Sequence, residues 1–402
     1  MRILVADKLA PFVSGRLQDA GAEVIVDTLA KDARLTERVR ELDPDVLIVR
    51  STKVTAADIG AGRSLALVIR AGAGVNTIDL KAASARGVYV ANCPGKNAVA
   101  VAELTIGHLV NLDRRIADNV AALRAHRWDK KGFGVARGLR GRTLAVLGTG
   151  QIGREVIQRA MAFEMRIVAW SRSLTDAEAK VLGITRANSP EDAVRDADAV
   201  SVHLALSPET RGRIGESVFA AMRPGAYFLN MARSEVVDQS ALMRALESKG
   251  IRAGLDVFDG EPSAAQGEVS DAIVDHPNVY GTHHIGASTD EAEEAVGEEV
   301  VRIVQAYAGG AAIPNCVNLA TRTPATHLLV VRHADRVGVL ANVLGVIREA
   351  GINIEDMQNI VFAGGASACA RIGLVGALPV DALERLGQDD AIFSISQVVV
   401  NA

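Results

Sequence analysis

The stretch "LAVLGTGQIGREVIQRAMAFEMRIVAWSRS" constrains the fold more than any other part of the chain. Gly148, Gly150 and Gly153 fit G-x-G-x-x-G, with an apolar strand before them and an amphipathic helix after. In such a turn the first glycine permits the tight bend. The second lets the backbone approach a pyrophosphate, and the third lets helix and strand pack closely. The helix N-terminus adds free N–H groups and a partial positive charge. A glycine triplet can also serve packing alone, but its place between strand and helix favours a dinucleotide. The second strand ends in Trp170, Ser171 and Arg172, where an acid would bind the ribose 2′-hydroxyl. Ser171 does not repel a 2′-phosphate and Arg172 is able to pair with one. NAD and NADP therefore both remain open, as does a solvent-facing Arg172.

Short apolar runs alternate with helical spacing on both sides of this turn. Before it come "RILVAD", "AEVIVD", "DVLIVRS", "LALVIRAG" and "VYVANCP"; after it come "DAVSVHLAL", "AYFLNMA", "RAGLDVF" and "NVYGTHH". This is the βαβ pattern of parallel sheets. Apolar residues make up 49% of the chain and aromatics 3%, so Ala, Val, Ile and Leu must fill the cores. That suits strands covered by helices on both faces. The stretch "NAVAVAELTIGHLVNLDRRIADNVAALRAHRW" reads as one long helix buried between domains or subunits. After the helical "STDEAEEAVGEEVVRIVQAYAGG", the segment "AAIPNCVNLATRTPAT" reads as a linker. From about Thr326 the order becomes βαββαβ within 80 residues, the ferredoxin-like unit.

Other classes fall away. The net charge of -4, from 44 basic and 48 acidic residues, lacks the footprint of a nucleic-acid binder. The three cysteines, Cys93, Cys316 and Cys369, are far apart, so no disulfide framework and no metal site is expected. A reducing cytoplasm is the simple reading. The start "MRILVADKLA" reads as a strand rather than a leader, and no apolar run has the length of a membrane helix.

Three segments after the glycine turn each place a polar residue just past an apolar strand. They deliver Arg233, then Asp256 with Glu261, then His283 and His284. In a doubly wound sheet, strand carboxyl ends face the ligand. An arginine clamps a carboxylate, a histidine moves a proton to or from a hydroxyl, and a glutamate beside it orients the ring. Taken singly, each residue also has an ordinary explanation as a surface charge, a turn residue or a cap. Side chains alternate along an extended strand end, so only one of the two histidines faces the site.

These residues, with "RAGAGVNTIDL", "NCPGKNAVAVAELTIGHLV", "HLALSPETRG" and "MRPGAYFLNMARSEVVD", resemble the D-isomer-specific 2-hydroxyacid dehydrogenases over residues 1–318. The resemblance implies an α/β chain with a split flavodoxin-like substrate domain, residues 1–98 and 285–318. A Rossmann nucleotide-binding domain, residues 99–284, is inserted between. It makes Arg233 the carboxylate clamp, His284 the acid–base and Glu261 its partner. Asp256 would hold the nicotinamide amide, and Gln151, Ile152, Leu204, Met231, Ala232 and Ala287 would line the cofactor. Ala73, Gly74 and Asn97 would touch substrate. The family pattern usually reads Thr-Pro-His where this chain has Thr282-His283-His284, so His283 stands in the proline's place. A looser approach to the site is the expectation.

"HADRVGVLANVLGVIREAGINIEDM" resembles an ACT domain, here 325–402. Such domains pair across subunits and bind small amino acids. The resemblance implies a homodimer or homotetramer with serine as effector at His333, Asp335 and Asn353. Val337 and Asp335 depart from the usual Pro and Asn. A dehydrogenase with one ACT domain points to 3-phosphoglycerate as substrate. Its phosphate needs cations, which Arg50, with Ser51 and Lys53, offers; Lys130 and Lys131 read as a solvated loop or as reaching a neighbouring subunit. Two other readings stand beside this one: an NADPH-linked reductase of glyoxylate or hydroxypyruvate, and a sensor or corepressor on a dehydrogenase fold.

Overall fold

The computed structural model describes residues 1–262 and 266–400. The chain divides into two units, Met1–Asn318 and Leu319–Ala402.

The first unit holds two parallel sheets. One comprises β1 (Arg2–Val5), β2 (Glu23–Val26), β3 (Val46–Val49), β4 (Leu67–Arg70) and β5 (Tyr89–Asn92), in the order β2-β1-β3-β4-β5. This is the flavodoxin-like order. The other comprises β6 (Thr143–Leu147), β7 (Arg166–Trp170), β8 (Thr185–Arg186), β9 (Ala199–Val202), β10 (Tyr227–Asn230), β11 (Arg252–Leu255) and β12 (Val279–Gly281). Its order is β12-β11-β10-β9-β6-β7-β8, which reverses direction between β6 and β9. That reversal is the topological switch point of a doubly wound sheet. The central strands β3, β6, β9 and β10 are buried along their whole length, which explains their unbroken runs of apolar or small residues. β8 is only two exposed residues long and carries no apolar run, so the sequence gives no sign of it.

The expected long helix is two. The first, Ala98–Arg114, ends where Arg115 takes a left-handed backbone, φ 50°; the second runs Ile116–Arg124. No proline or glycine marks the break. The Asn111 side chain accepts a hydrogen bond from the Ala117 amide, so it offers the backbone an alternative to continuing the helix. Arg115 bonds Asp118 through Nε and lies 4.8 Å from the Phe133 ring centroid. Only the first helix is buried over most of its length, against the second sheet. The later helix Asp290–Ala308 returns to the first sheet, where Val300, Val301, Ile303 and Val304 join the core around Ile3, Val46 and Ile48.

The second unit is an antiparallel sheet of β13 (His327–Ala334), β14 (Ile354–Val361), β15 (Ser367–Leu374) and β16 (Ile392–Val399), ordered β14-β15-β13-β16. The helices Val339–Glu349 and Val380–Gly387 share its core, which includes Leu329, Val331, Val343, Ile347, Ile372 and Leu386. This is the ferredoxin-like arrangement.

Candidate active site

The strands of each sheet run parallel, so the polar residues that follow them collect at the carboxyl edges. His284 sits three residues past the end of β12 in a left-handed backbone, φ 51°. That conformation is uncommon for a residue with a Cβ. Its Nδ1 lies 2.6 Å from Glu261 Oε2, and Glu261 Oε1 accepts the Phe258 amide at 2.9 Å. The carboxylate accepts, so Nδ1 carries a proton in this pair. Burial raises the Glu261 pKa. The hydrogen bonds from His284 and Phe258, with the charges of His284 and Arg233, outweigh that and hold it below the ordinary value. His283 is exposed.

Asp256, buried just past β11, braces the loop that carries His284. Its Oδ1 accepts from the Thr282 hydroxyl at 2.6 Å and the Ile285 amide at 2.9 Å, and its Oδ2 accepts from the Gly286 amide at 2.8 Å. Three hydrogen bonds of Asp256, which follows β11, thus go to the loop after β12. His108 completes the brace from the helix Ala98–Arg114, with Nε2 3.0 Å from the Thr282 hydroxyl. The hydroxyl donates to Asp256, so His108 must donate to it and Nε2 bears the hydrogen. Nothing in the periodic helix sequence singled out His108.

Three arginines converge from both sheets. A Cβ on Gly74 would come 2.7 Å from Arg233 Nη2, and one on Gly72 would collide with Arg70. The glycines of "RAGAG" therefore let both guanidiniums lie over the loop after β4. Arg70 was missed in the sequence, although a charge ending the apolar run "LVIR" was the available signal. Its pKa is pushed down to about 10, first by burial and then by the charges of Arg233 and Arg50. Arg50 follows β3, and the turn it begins is fixed by Asp7. The amides of Arg50, Ser51 and Thr52 all donate to Asp7 Oδ2, at 2.7, 3.0 and 2.9 Å. The Ser51 hydroxyl also bonds Asp7, at 3.2 Å, so Ser51 supports the turn. Arg50, Arg70, Asn97 and Ala287 line one pocket, together with Glu293 of the helix Asp290–Ala308. Arg70 Nε and Asn97 Oδ1 are both buried without a hydrogen-bond partner among the described residues. Lys53, Lys130 and Lys131 are exposed.

The glycine turn fits a dinucleotide. Gly148 has φ 107° and packs on the His203 carbonyl, where a Cβ would come within 2.5 Å; Leu204 lies beside it. A Cβ on Gly153 would collide with the Gly148 carbonyl, whereas Gly150 faces open space. The helix Gln151–Ala162 begins with no side-chain cap among the described residues, which suits its first N–H groups to a phosphate. The Gln151 side chain lies over Gly95. Ile152 packs into the core behind the turn, and the Ala232 amide bonds Asn230 Oδ1 while Met231 is buried. Below, His203 shares a 2.7 Å hydrogen bond with Ser201, and burial pushes its pKa down to about 4. Past β7, Ser171 is half-buried and Arg172 exposed. Arg172 helps hold the Glu209 carboxyl below its ordinary value, after the Ser207 hydroxyl and the Glu209 amide.

In the second unit the three effector candidates differ in exposure. His333 is buried and spends Nδ1 on the Ala334 carbonyl at 2.8 Å, with Nε2 3.2 Å from Asn359 Oδ1. Asp335 and Asn353 are exposed, and Asn353 bonds Glu355. Among the described residues no cluster of His, Cys, Asp or Glu is arranged to hold a metal, and no helix is long and apolar enough to cross a membrane.

Comparison with known proteins agrees with this geometry. Residues 106–286 match the family model described as D-isomer specific 2-hydroxyacid dehydrogenase, NAD binding domain. A D-3-phosphoglycerate dehydrogenase of Rattus norvegicus is 39% identical over 328 residues, 81% of this chain and 60% of that protein. This chain thus spans less than two thirds of that relative. The crystal structure of TT0316 protein from Thermus thermophilus is 32% identical with a TM-score of 0.70, covering 79% of this chain and 100% of that one. A cofactor (NAD+)-bound 3-phosphoglycerate dehydrogenase of Entamoeba histolytica is 25% identical with a TM-score of 0.66, covering 79% and 99%. The glycine turn at a switch point, the histidine–glutamate pair and the arginines at the sheet edges thus meet in one framework, and the chain belongs to the D-isomer specific 2-hydroxyacid dehydrogenases.

Proposed function

We propose that this chain is a D-3-phosphoglycerate dehydrogenase, oxidising 3-phosphoglycerate to 3-phosphohydroxypyruvate at the entry to serine synthesis. The single observation that carries this is the His284–Glu261 pair in a site with three arginines, Arg50, Arg70 and Arg233. One carboxylate needs one clamp; a carboxylate and a phosphate need more. The relatives named as phosphoglycerate dehydrogenases support the same reading.

Bound NAD or NADP supplies the hydride acceptor. Gly148, Gly150 and Gly153 with the start of the helix Gln151–Ala162 would hold its phosphates, and Ser171 and Arg172 its ribose. The rest falls to the chain's own side chains. Arg233 holds the substrate carboxylate and polarises the reacting C–O group. His284 Nε2 takes the proton of the C2 hydroxyl as C2 loses its hydride. Glu261 keeps the imidazole turned and stabilises the imidazolium that results. Arg50 and Arg70 meet the phosphate. Residues 1–98 and 285–318 then form the substrate side, and 99–284 the nucleotide side, of a cleft that closes for turnover. We assign the enzyme to the cytoplasm, as a homodimer or homotetramer, with residues 325–402 as an ACT unit responding to serine.

A second reading, an NADPH-linked reductase of glyoxylate or hydroxypyruvate, is favoured by one observation: Ser171 and Arg172 stand where an acid would exclude a 2′-phosphate. Initial rates with 3-phosphoglycerate, glyoxylate and hydroxypyruvate, each with NAD(H) and NADP(H), decide between them. Turnover of 3-phosphoglycerate is expected, and its absence with both cofactors would refute the proposal. Replacing His284 by Ala should abolish turnover and leave cofactor binding, measured by fluorescence, intact. The His283→Ala enzyme should remain active.

A further inference from the structure

The first turn of the helix Asp290–Ala308 is rich in acid: Asp290, Glu291 and Glu293. Carboxylates at a helix N-terminus favour the macrodipole, which is sufficient reason for Asp290 and Glu291. Glu293 does something more. Its Oε1 accepts from Arg50 Nη1 at 2.7 Å, and both residues line the pocket that also holds Arg70 and Asn97. Among the charged residues lining that pocket, Arg50 and Arg70 are the cations and Glu293 is the anion. The Nε of Arg70 and the Oδ1 of Asn97 are buried without hydrogen-bond partners among the described residues. Arg70 therefore has a donor available, while Arg50 already has a counter-ion.

We infer that Glu293 sets the specificity of this pocket by competing with the substrate's phosphate for Arg50. The inference rests on the function proposed above. A phosphate carries close to two negative charges at neutral pH. Docked between Arg50 and Arg70 it would balance both, but only if Glu293 gives up Arg50. The like charges of carboxylate and phosphate cannot share one guanidinium without mutual repulsion. An unphosphorylated keto acid makes no such demand, and Glu293 stays paired while it binds. The carboxylate is thus an exchangeable counter-ion: it lowers affinity for phosphorylated substrates selectively and leaves the reacting end of the site alone.

The test is Glu293→Gln in the full chain, with Glu294→Gln as control. Glu294 carries the same charge on the same turn but is exposed and does not line the pocket. Breaking a half-exposed ion pair and removing the repulsion should lower KM for 3-phosphoglycerate by about fivefold. The value of kcat should change less than about twofold, because uniform binding alone is altered. KM for hydroxypyruvate should not move, and Glu294→Gln should behave as the parent chain. Binding of inorganic phosphate, followed by calorimetry, should tighten in step with the KM. An unchanged or raised KM for 3-phosphoglycerate overturns the inference, as does an equal effect from Glu294→Gln. The two claims fail separately. If the parent turns over 3-phosphoglycerate but neither KM nor phosphate binding responds to Glu293→Gln, the function stands and the role of Glu293 falls. If 3-phosphoglycerate is not a substrate and the variant still binds phosphate more tightly, the counter-ion role stands and the function falls.

Discussion

Glu261 is the residue on which the proposed proton chemistry turns. Its carboxyl sits below the ordinary value because the hydrogen bonds from His284 and Phe258 and the charge of Arg233 outweigh the effect of burial. A depressed carboxyl contributes its stabilisation in full above the unfolded pKa and loses it as pH falls through the lower, folded one. Glu261 is therefore ionised from about pH 5 to about pH 8. Glu261→Gln removes that charge throughout this window. The expected result is a fall in kcat of about 10²-fold at every pH in it, with KM changed little. A loss confined to the acid end of the kcat profile would contradict the assignment. At this scale the sequence was informative where a polar residue interrupts an apolar strand end, as at Arg233, Asp256 and His284. Arg70 gives the same signal but passed as part of the "RAGAG" turn. Glu293 gives none, because its neighbours are also acids and only the fold shows which one meets Arg50.

The glycine turn makes its prediction as an element. Gly153 and Gly150 are three residues apart and look alike in sequence, yet one is pressed against the Gly148 carbonyl and the other is open. Gly153→Ala must shift backbone, so a loss of about 1–3 kcal/mol in urea unfolding is expected. Gly150→Ala should fold as the parent does, its φ of -68° being ordinary for alanine, and should instead weaken cofactor affinity. Equal behaviour of the two variants would rule out the division of roles. Elements marked by long runs of Val, Ile and Leu, such as β3 and β6, were legible because burial on both faces demands such runs. The break at Arg115 was not, since a side chain, Asn111, competes for the backbone there rather than a proline. Two-residue β8 lies below what any pattern can register.

At the scale of the whole molecule, each unit has buried apolar clusters of its own among the described residues. Those of the first unit draw on residues between Ile3 and Val304, and that of the second on residues from Leu329 onward. A chain ending at Asn318 should therefore fold and retain turnover within about twofold, while losing any response to serine. Steady-state rates with and without serine on both chains check this; loss of turnover would show that the second unit is needed for more than the proposed response to serine. The change of rhythm near Thr326 falls a few residues inside the second unit. The burial of His333 was not legible, because alternation along a strand says which residues share a face but not which face is covered.

The left-handed backbone at His284 sets folding against the proposed chemistry at one position. Such a conformation costs a residue with a Cβ on the order of 1 kcal/mol, and glycine or asparagine would relieve it. Neither can move the proton. Selecting variants of this protein for heat resistance alone would thus push position 284 toward residues that lack the proposed acid–base group, so a search for a more durable enzyme of the proposed kind has to hold that codon fixed.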